Sequence, residues 1–259
     1  MKDCVLTIAG SDSGGNAGIQ ADLRVFHAHN LHGCTVITAL TAQNPKSIYG
    51  INEIPADFVG AQLDAVIGTY SIAALKTGML GSAEVVEVVA EKIKPCVSIA
   101  KVVDPVMVAT SGAKLAKEST RVAMEKLLYP LATLITPNIP EAEMLSRRSI
   151  HVCNDAEDVA KCLYDKFGTA VLIKGGHAVH DYKTADDLLF DGENFFYFSL
   201  PWIKEPISTH GTGCALSAAI ASELALGCNL MEAVKSAKEY VYQAILKSYF
   251  VGENCGVLQ

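Results

Sequence analysis

Residues 209–214 read Thr-His-Gly-Thr-Gly-Cys, and the small, apolar run Ala-Leu-Ser-Ala-Ala-Ile-Ala follows directly. The run predicts a helix over 212–226 that begins in a glycine loop. Glycines allow backbone N–H groups to turn toward one point, and a helix N-terminus attracts negative charge. A cysteine in the first helical turn lies in the same field, which lowers the pKa of a thiol. The stretch therefore indicates an anion site, although by itself it also fits an ordinary glycine loop before a core helix.

Strands and helices alternate along the chain on both sides of this loop. Hydrophobic patterns predict strands at 4–9, 33–41, 48–54 (a short edge strand), 101–103 and 170–174, further strands that begin at 72 and 134, and helices at 17–29, 56–67, 84–93, 155–167, 212–226 and 230–248. A β-hairpin is predicted over 184–200, around Asp191-Gly192. This alternation predicts an α/β fold with a largely parallel central sheet and helices on both faces.

The organisation of the chain is simple. No linker, repeat or low-complexity segment interrupts it, so we predict one domain over residues 1–259. We expect the residues from Ser248 onward to form a loosely held tail. We also expect a homo-oligomer, a dimer in its simplest form.

Composition limits the function. The 259 residues are 50% hydrophobic and carry a net charge of −7, which argues against a nucleic-acid or anionic-membrane surface. No signal peptide or membrane span is recognisable, and the eight cysteines form no C-x-x-C pair, so we predict reduced thiols in a cytoplasmic protein. The set His27, His29 and His32 is expected to be surface histidines and not metal ligands.

A second glycine loop follows the first predicted strand. Residues 10–18 read Gly-Ser-Asp-Ser-Gly-Gly-Asn-Ala-Gly, which is neither G-x-G-x-x-G nor a P-loop, so we expect a backbone surface for a small ligand. Asp22, in the first turns of the next helix, is either a substrate contact or a solvent-facing, dipole-pairing carboxylate. Gln43 lies at the end of the next strand, where an amide suits a heteroaromatic ring with mixed donors and acceptors.

Polar side chains follow three further predicted strands. Asp104 suits a hydrated magnesium ion, or caps a turn. Asn138 and Glu141 offer hard oxygen atoms, yet their spacing also fits a helix capping box. Lys174, before two glycines, suits a phosphate contact or merely flanks its strand. The carboxyl ends of parallel strands meet at one edge, so these side chains are expected to converge on the anion site.

Seven ordered stretches together resemble one family, the hydroxymethylpyrimidine and phosphomethylpyrimidine kinases of thiamin biosynthesis, within the ribokinase-like superfamily. The stretches cover 9–22, 36–44, 76–81, 104–107, 135–143, 174–177 and 209–214. The resemblance implies a single ribokinase-like domain that uses ATP and Mg²⁺ to phosphorylate 4-amino-5-hydroxymethyl-2-methylpyrimidine and then its monophosphate.

The resemblance also implies roles for individual residues. The catalytic positions are Gly211, Thr212, Gly213 and Cys214, with Cys214 as the candidate base; the substrate positions are Gly10, Asp22, Gln43 and Met79; the phosphate positions are Thr209, Asn138 and Lys174; and the magnesium positions are Asp104 and Glu141, partly through water.

The chain departs from the family pattern at Asn16, at residues 204–208 and at the C-terminus, which puts the gating of substrate in doubt but not the reaction. A pyridoxine or pyridoxal kinase is the nearest alternative, since its substrate is also a nitrogen heterocycle with a hydroxymethyl group. A catalytically silent binding protein is the alternative from another class.

Overall fold

A computed structural model of the protein describes residues 3–45, 47–107, 117–175, 183–253 and 255–259. The strands are β1 (Cys4–Asp12), β2 (His32–Asn44), β3 (Ser47–Glu53), β4 (Ile72–Thr77), β5 (Ala100–Val103), β6 (Leu134–Ile135), β7 (Ala170–Gly175), β8 (Thr184–Phe190), β9 (Phe195–Pro201), β10 (Tyr249–Phe250) and β11 (Gly256–Val257). The helices are α1 (Gly18–Ala28), α2 (Ala56–Ile67), α3 (Ala83–Ile93), α4 (Glu118–Ala123), α5 (Ile139–Ser146), α6 (Cys153–Phe167), α7 (Thr212–Ala225) and α8 (Leu230–Leu246).

Nine strands form one sheet in the order β3-β2-β1-β4-β5-β6-β7-β8-β9. The six central strands are parallel, namely β2, β1, β4, β5, β6 and β7. The strand β3 at one edge and the strands β8 and β9 at the other pair antiparallel. The predicted α/β class, the largely parallel sheet, the edge strand and the hairpin over 184–200 are thereby confirmed.

Both faces of the sheet are covered because alternate residues of a strand point to opposite sides. In β1, Leu6 and Ile8 pack in a core cluster that includes residues of α2, α3 and α6. Val5, between Cys4 and Leu6, packs instead in a second cluster with residues of α1, α7 and α8. The result is a three-layer helix–sheet–helix arrangement. The carboxyl ends of all the parallel strands lie side by side along one edge of the sheet, perpendicular to the edges formed by β3 and β9.

The small side chains of α7 let it lie close to the sheet. The residues from Ala218 to Ser222 are all buried, and the helix contacts β1, β4 and β5 near the centre of the sheet. Because α7 begins at Thr212, its N-terminus is held at the edge where the parallel strands end. Packing of an alanine-rich helix therefore decides where the predicted anion site lies.

Two expectations about the periphery were wrong, and one helix was not predicted. The residues after Ser248 are not a loose tail, since β10 and β11 pair as a small hairpin and Gly256 is buried against Ile207. The helix α4, with the π-helical turn Met124–Leu128 that follows it, was not predicted. His29 is half-buried, with its Nδ1 2.8 Å from the carbonyl oxygen of Val25.

None of the helices in the described part of the chain is long and apolar enough to cross a bilayer.

Candidate active site

A cavity of about 880 Å³ lies along the edge where the parallel strands end. Twelve of the thirteen predicted site residues line it, which leaves Asp22 outside. Those twelve are Gly10, Gln43, Met79, Asp104, Asn138, Glu141, Lys174, Thr209, Gly211, Thr212, Gly213 and Cys214. They come from the ends of β1, β2 and β7, from the segments that follow β4, β5 and β6, and from the start of α7, so the convergence follows from the parallel topology.

Gly211 shapes the start of α7. It has a left-handed φ of 88°, and a Cβ at this position would lie 2.0 Å from the carbonyl oxygen of Asn16. Thr212 reinforces the turn, because its hydroxyl donates to the carbonyl oxygen of Thr209 at 2.9 Å. The first N–H groups of a helix have no carbonyl partner within it, so those of Gly213 and Cys214 are directed toward the cavity end of the helix.

Asp12 organises the glycine loop beneath this turn, a role that the sequence analysis did not recognise. Its carboxylate accepts the backbone N–H groups of Gly14, Asn16 and Ala17 at 2.7–3.0 Å. The Nε2 of His210 lies 3.9 Å from the same carboxylate. Burial opposes the charge, but the nearby His210 and these amides outweigh it and lower the pKa of Asp12 to about 2.

This arrangement explains how Asn16 is accommodated. Its backbone N–H binds Asp12, its side chain is buried, and its φ is not positive, so the loop accepts a residue other than glycine here. An Asp that precedes Ser-Gly-Gly is a known turn signal, and this signal was available in the sequence.

Asp104 and Lys174 form an ion pair on the cavity wall, with Lys174 Nζ 2.9 Å from Asp104 Oδ1. A Cβ built on Gly213 would lie 3.5 Å from Lys174 Nζ and 3.7 Å from Asp104 Oδ2, so the pair sits beside the first turn of α7. Burial disfavours the ammonium, but Asp104 and Glu141 outweigh it and raise the pKa of Lys174. The lysine is therefore a fixed positive charge next to the helix N-terminus.

Asn138 and Glu141 form the capping box that their spacing allowed. The Asn138 side chain accepts the N–H of Glu141 at 2.9 Å, and Glu141 Oε2 accepts the N–H of Asn138 at 3.0 Å. Glu141 Oε1 accepts the N–H of Met107, also at 3.0 Å. Both carboxylate oxygens of Glu141 thus already hold backbone amides while the residue lines the cavity.

Asp22 lies one layer below the cavity. Lys76 Nζ is 2.9 Å from both of its carboxylate oxygens, and the Thr7 hydroxyl donates to Oδ2 at 2.6 Å. Neither side chain of the ion pair is exposed, but atoms of Lys76 reach the cavity wall. Burial alone would lower the pKa of Lys76, but the Asp22 carboxylate outweighs it and raises the pKa, so the ammonium stays charged.

Cys214 faces this buried ammonium. Burial raises the pKa of its thiol, with a smaller contribution from the Asp22 and Asp104 carboxylates, while Lys76 and the N–H of Gly18 oppose the rise. Burial therefore outweighs the helix start, and the expectation of a lowered thiol pKa was wrong. The environment of Cys214 includes a fixed cation that stabilises a thiolate, but the balance favours the neutral thiol.

Gly10, Met79 and Gln43 form another part of the cavity wall. A Cβ on Gly10 would lie 2.7 Å from Met79 Cε, the end of a flexible side chain, so the glycine lets this methionine pack closely over the end of β1 without moving. The backbone of Gln43 is tied to the glycine loop through Ser13, whose Oγ accepts the Gln43 N–H and donates to its carbonyl oxygen, both at 2.9 Å.

Two further features of the wall were missed by the sequence analysis. Lys238 and Asp187 form a buried ion pair at 2.7 Å between α8 and β8. Trp202, the single tryptophan of the chain, also lines the cavity. No local motif marks these residues, because each is brought to the wall by the way the hairpin and α8 pack on the sheet.

Phosphoryl transfer needs positioning and charge stabilisation more than covalent help from the protein. Backbone amides at a helix start, a charged lysine and a neighbouring carboxylate at the edge of a parallel sheet provide these two elements. The fold and the site together define a small-molecule kinase of ribokinase-like architecture.

Comparison with known proteins agrees with this class. The phosphomethylpyrimidine kinase family model matches residues 12–259. The hydroxymethylpyrimidine/phosphomethylpyrimidine kinase of Synechococcus elongatus is 44% identical over 253 residues, which cover 98% of this chain and 95% of the relative. The chain belongs to the phosphomethylpyrimidine kinase family, which confirms the predicted family and the phosphotransferase class.

Two solved structures are similar over nearly the whole chain. The crystal structure of phosphomethylpyrimidine kinase from Clostridium difficile is 39% identical with a TM-score of 0.83, and covers 94% of this chain and 100% of that one. An ADP complex of Bacillus subtilis pyridoxal kinase is 36% identical with a TM-score of 0.91, and covers 100% of this chain and 97% of that one. The predicted ribokinase-like fold is therefore confirmed, whereas the two neighbours differ in the substrate that their names give.

Proposed function

We propose that the protein transfers the terminal phosphoryl group of ATP to the hydroxymethyl oxygen of 4-amino-5-hydroxymethyl-2-methylpyrimidine, and then to the resulting monophosphate. The observation that carries this proposal is the single cavity that holds both the start of α7 with Lys174 and the surface of Gly10, Gln43 and Met79. The first group suits a transferring phosphate, and the second suits a small heteroaromatic ring.

ATP would enter with Mg²⁺, and the pyridoxal kinase of similar fold was solved with bound ADP. Among the predicted magnesium residues, Asp104 fits best, because one of its oxygens is free of the Lys174 contact and faces Gly213. Both oxygens of Glu141 accept backbone amides, so a contact through water preserves the capping box. Hard oxygen donors that leave Mg²⁺ several water ligands are typical of phosphoryl-transfer sites.

The transferring group gains charge stabilisation from the amides of Gly213 and Cys214 and from Lys174. Cys214 is the proposed acceptor of the hydroxyl proton in the first step. Its neutral thiol must first release its own proton to solvent, and the nearby ammonium of Lys76 favours the resulting thiolate. The second step needs less from a base because its nucleophile, a phosphate, is already an anion.

The decisive experiment incubates purified protein with ATP, Mg²⁺ and the pyrimidine alcohol, and follows the monophosphate and diphosphate by mass. Pyridoxal is supplied in a parallel reaction and as a competitor, because a pyridoxal kinase shares the fold. We expect both pyrimidine products in sequence. Product from pyridoxal alone would replace the proposal by the second candidate function.

Binding is read separately through the fluorescence of Trp202 on the cavity wall. A fluorescence change on addition of either alcohol without any turnover would favour the silent binding protein. The single-domain organisation over 1–259, the dimer and the cytoplasmic location stay predictions. Sedimentation of the purified protein tests the dimer, and limited proteolysis tests the domain organisation.

A further inference from the structure

Cys4, His32 and Cys34 come together at the opposite edge of the sheet from the cavity. Their ligand atoms (two sulfurs and a ring nitrogen) all lie within 4.8 Å of one another. Cys4 begins β1, and His32 and Cys34 lie at the start of the neighbouring parallel strand β2. The cavity residue Asp12 ends β1, eight residues later, which places the two sites about 26 Å apart along the strand.

The three side chains share one face of the sheet because His32 and Cys34 are two residues apart and Cys4 is paired with His32. Both thiols are buried, at 5% and 8% exposure, in the cluster that includes residues of α2 and α3. The imidazole is exposed, so the group is open to solvent on one side. This opening gives an ion a path to the two buried sulfurs.

The ring of His32 is also oriented. It stacks on Tyr70 in the loop after α2, with ring centroids 5.7 Å apart and an angle of 18° between the planes. The stacking restricts the imidazole to positions beside the thiols and lowers the entropy that is lost when the ring binds an ion. The spacing of the histidines in the sequence did not indicate this group of three side chains, because the thiol of Cys4 is supplied by another strand.

The distances suit tetrahedral coordination. The two sulfur atoms are 3.3 Å apart, and two thiolates on one zinc ion lie about 3.8 Å apart for zinc–sulfur bonds of about 2.3 Å. The two sulfur atoms therefore need to move apart by only about half an ångström to bind the ion. Two thiolates, a neutral imidazole and a water molecule around Zn²⁺ carry no net charge, which keeps the cost of burial small.

We propose that Cys4, Cys34 and His32 bind one zinc ion, with water as the fourth ligand, and thereby join the first turns of β1 and β2. Binding replaces the two S–H protons by two zinc–sulfur bonds, so two protons leave for each ion bound and no electron is transferred. The ion is structural, because it lies at the far edge of the sheet from the cavity.

The test uses Co²⁺ as a spectroscopic substitute for Zn²⁺ on the fully reduced, full-length protein. We expect one Co²⁺ per chain, an intense near-ultraviolet thiolate-to-cobalt band, release of two protons per ion at about pH 8, and loss of the band when Zn²⁺ is added. Cys34→Ser should remove most of the band. Cys153→Ser, which changes an exposed cysteine outside the group, should leave it intact.

His32→Ala keeps the test valid if the buried cysteine variants fail to fold, because His32 is exposed. This variant should bind Co²⁺ at least about tenfold more weakly and should lose the rise in melting temperature that Zn²⁺ gives the wild type. The proposal is overturned if no thiolate band appears, if the band survives Cys34→Ser, or if His32→Ala binds as tightly as the wild type. It is equally overturned if mild peroxide joins Cys4 to Cys34 as a disulfide while Zn²⁺ fails to protect either thiol.

Discussion

Replacement of Asp22 by Asn should destabilise the protein by about 3–5 kcal/mol, the typical cost of removing one partner of a buried ion pair. Neither side chain of the Asp22–Lys76 pair is exposed, and the ammonium lies 2.9 Å from both carboxylate oxygens. The asparagine keeps the shape and can still accept the Thr7 hydroxyl, so the variant removes little besides the counter-charge of Lys76. The ammonium has no exposed surface through which water could replace that charge.

The measurement is urea unfolding followed by circular dichroism and by Trp202 fluorescence. Asp64→Asn is the matched control, because Asp64 and Lys92 form a pair of the same residue types at 2.7 Å that is 62% and 33% exposed. An exposed pair is worth less than about 1 kcal/mol. The double variant Asp22→Asn/Lys76→Met also removes the stranded ammonium, so it should be less destabilised than the sum of its single variants by about 2 kcal/mol or more.

A loss below about 1 kcal/mol for Asp22→Asn, similar to that for Asp64→Asn, would contradict a strong contribution of the buried pair to stability. The same conclusion would follow if the stability losses of the two single variants simply added up in the double variant, since the two groups would then not stabilise each other. Either result would mean that Lys76 is neutral or solvated in the folded protein, and would remove the fixed cation on which the proposed activation of Cys214 depends.

Further predictions concern the two glycine loops. Gly211→Ala should lower kinase turnover at least about tenfold and destabilise the fold by about 2 kcal/mol or more, because its Cβ would meet the carbonyl oxygen of Asn16 at 2.0 Å. Gly227→Ala, at φ 91° with open space around it, should cost only about 1–2 kcal/mol and leave turnover unchanged; equal effects in the two variants would contradict the steric argument. The pKa of Asp12 falls from 3.8 to about 2 on folding. This shift adds about 2.5 kcal/mol to the free energy of unfolding above about pH 4, and the contribution is lost as the pH falls toward 2. The stability difference between wild type and Asp12→Asn, measured by urea unfolding, should therefore shrink with acid, and a constant difference would speak against it. Cys214→Ser should slow the first phosphorylation more than the second, as followed by product mass; equal slowing would assign the residue to positioning.

Local sequence patterns predicted most of the framework. The buried runs and amphipathic periods located the helix over 56–67 and the hairpin strands, because hydrophobic spacing alone determines which face a segment can bury. The convergence of the polar strand ends was also predictable, since parallel strands must end at one edge. The C-terminal hairpin was missed because its short strands gain their order from contact with Ile207, which is far away in the chain.

For several residues the sequence allowed two alternative roles, and the structure decides between these roles only for some of the residues. Asn138 and Glu141 do form the capping box that their spacing permits, and they line the cavity as well. Asp22 was read as a surface or substrate carboxylate, whereas it is the buried partner of a lysine 54 residues away. A local window contains no information about such a partner.

The sequence alone predicted the nine strands of the main sheet in chain order, most of the helices, the largely parallel sheet, the glycine loop at the start of α7 and the family. These follow from periodicity, glycine placement and motif order, which are properties of neighbouring residues. The three-dimensional structure was needed to show which charged side chains are buried and which partners they have: Asp22 pairs with Lys76, and Asp104 pairs with Lys174. It was also needed to show that burial raises the pKa of the Cys214 thiol. The reason is that pKa values and ion pairs depend on desolvation and on distances between strands, and the fold sets both.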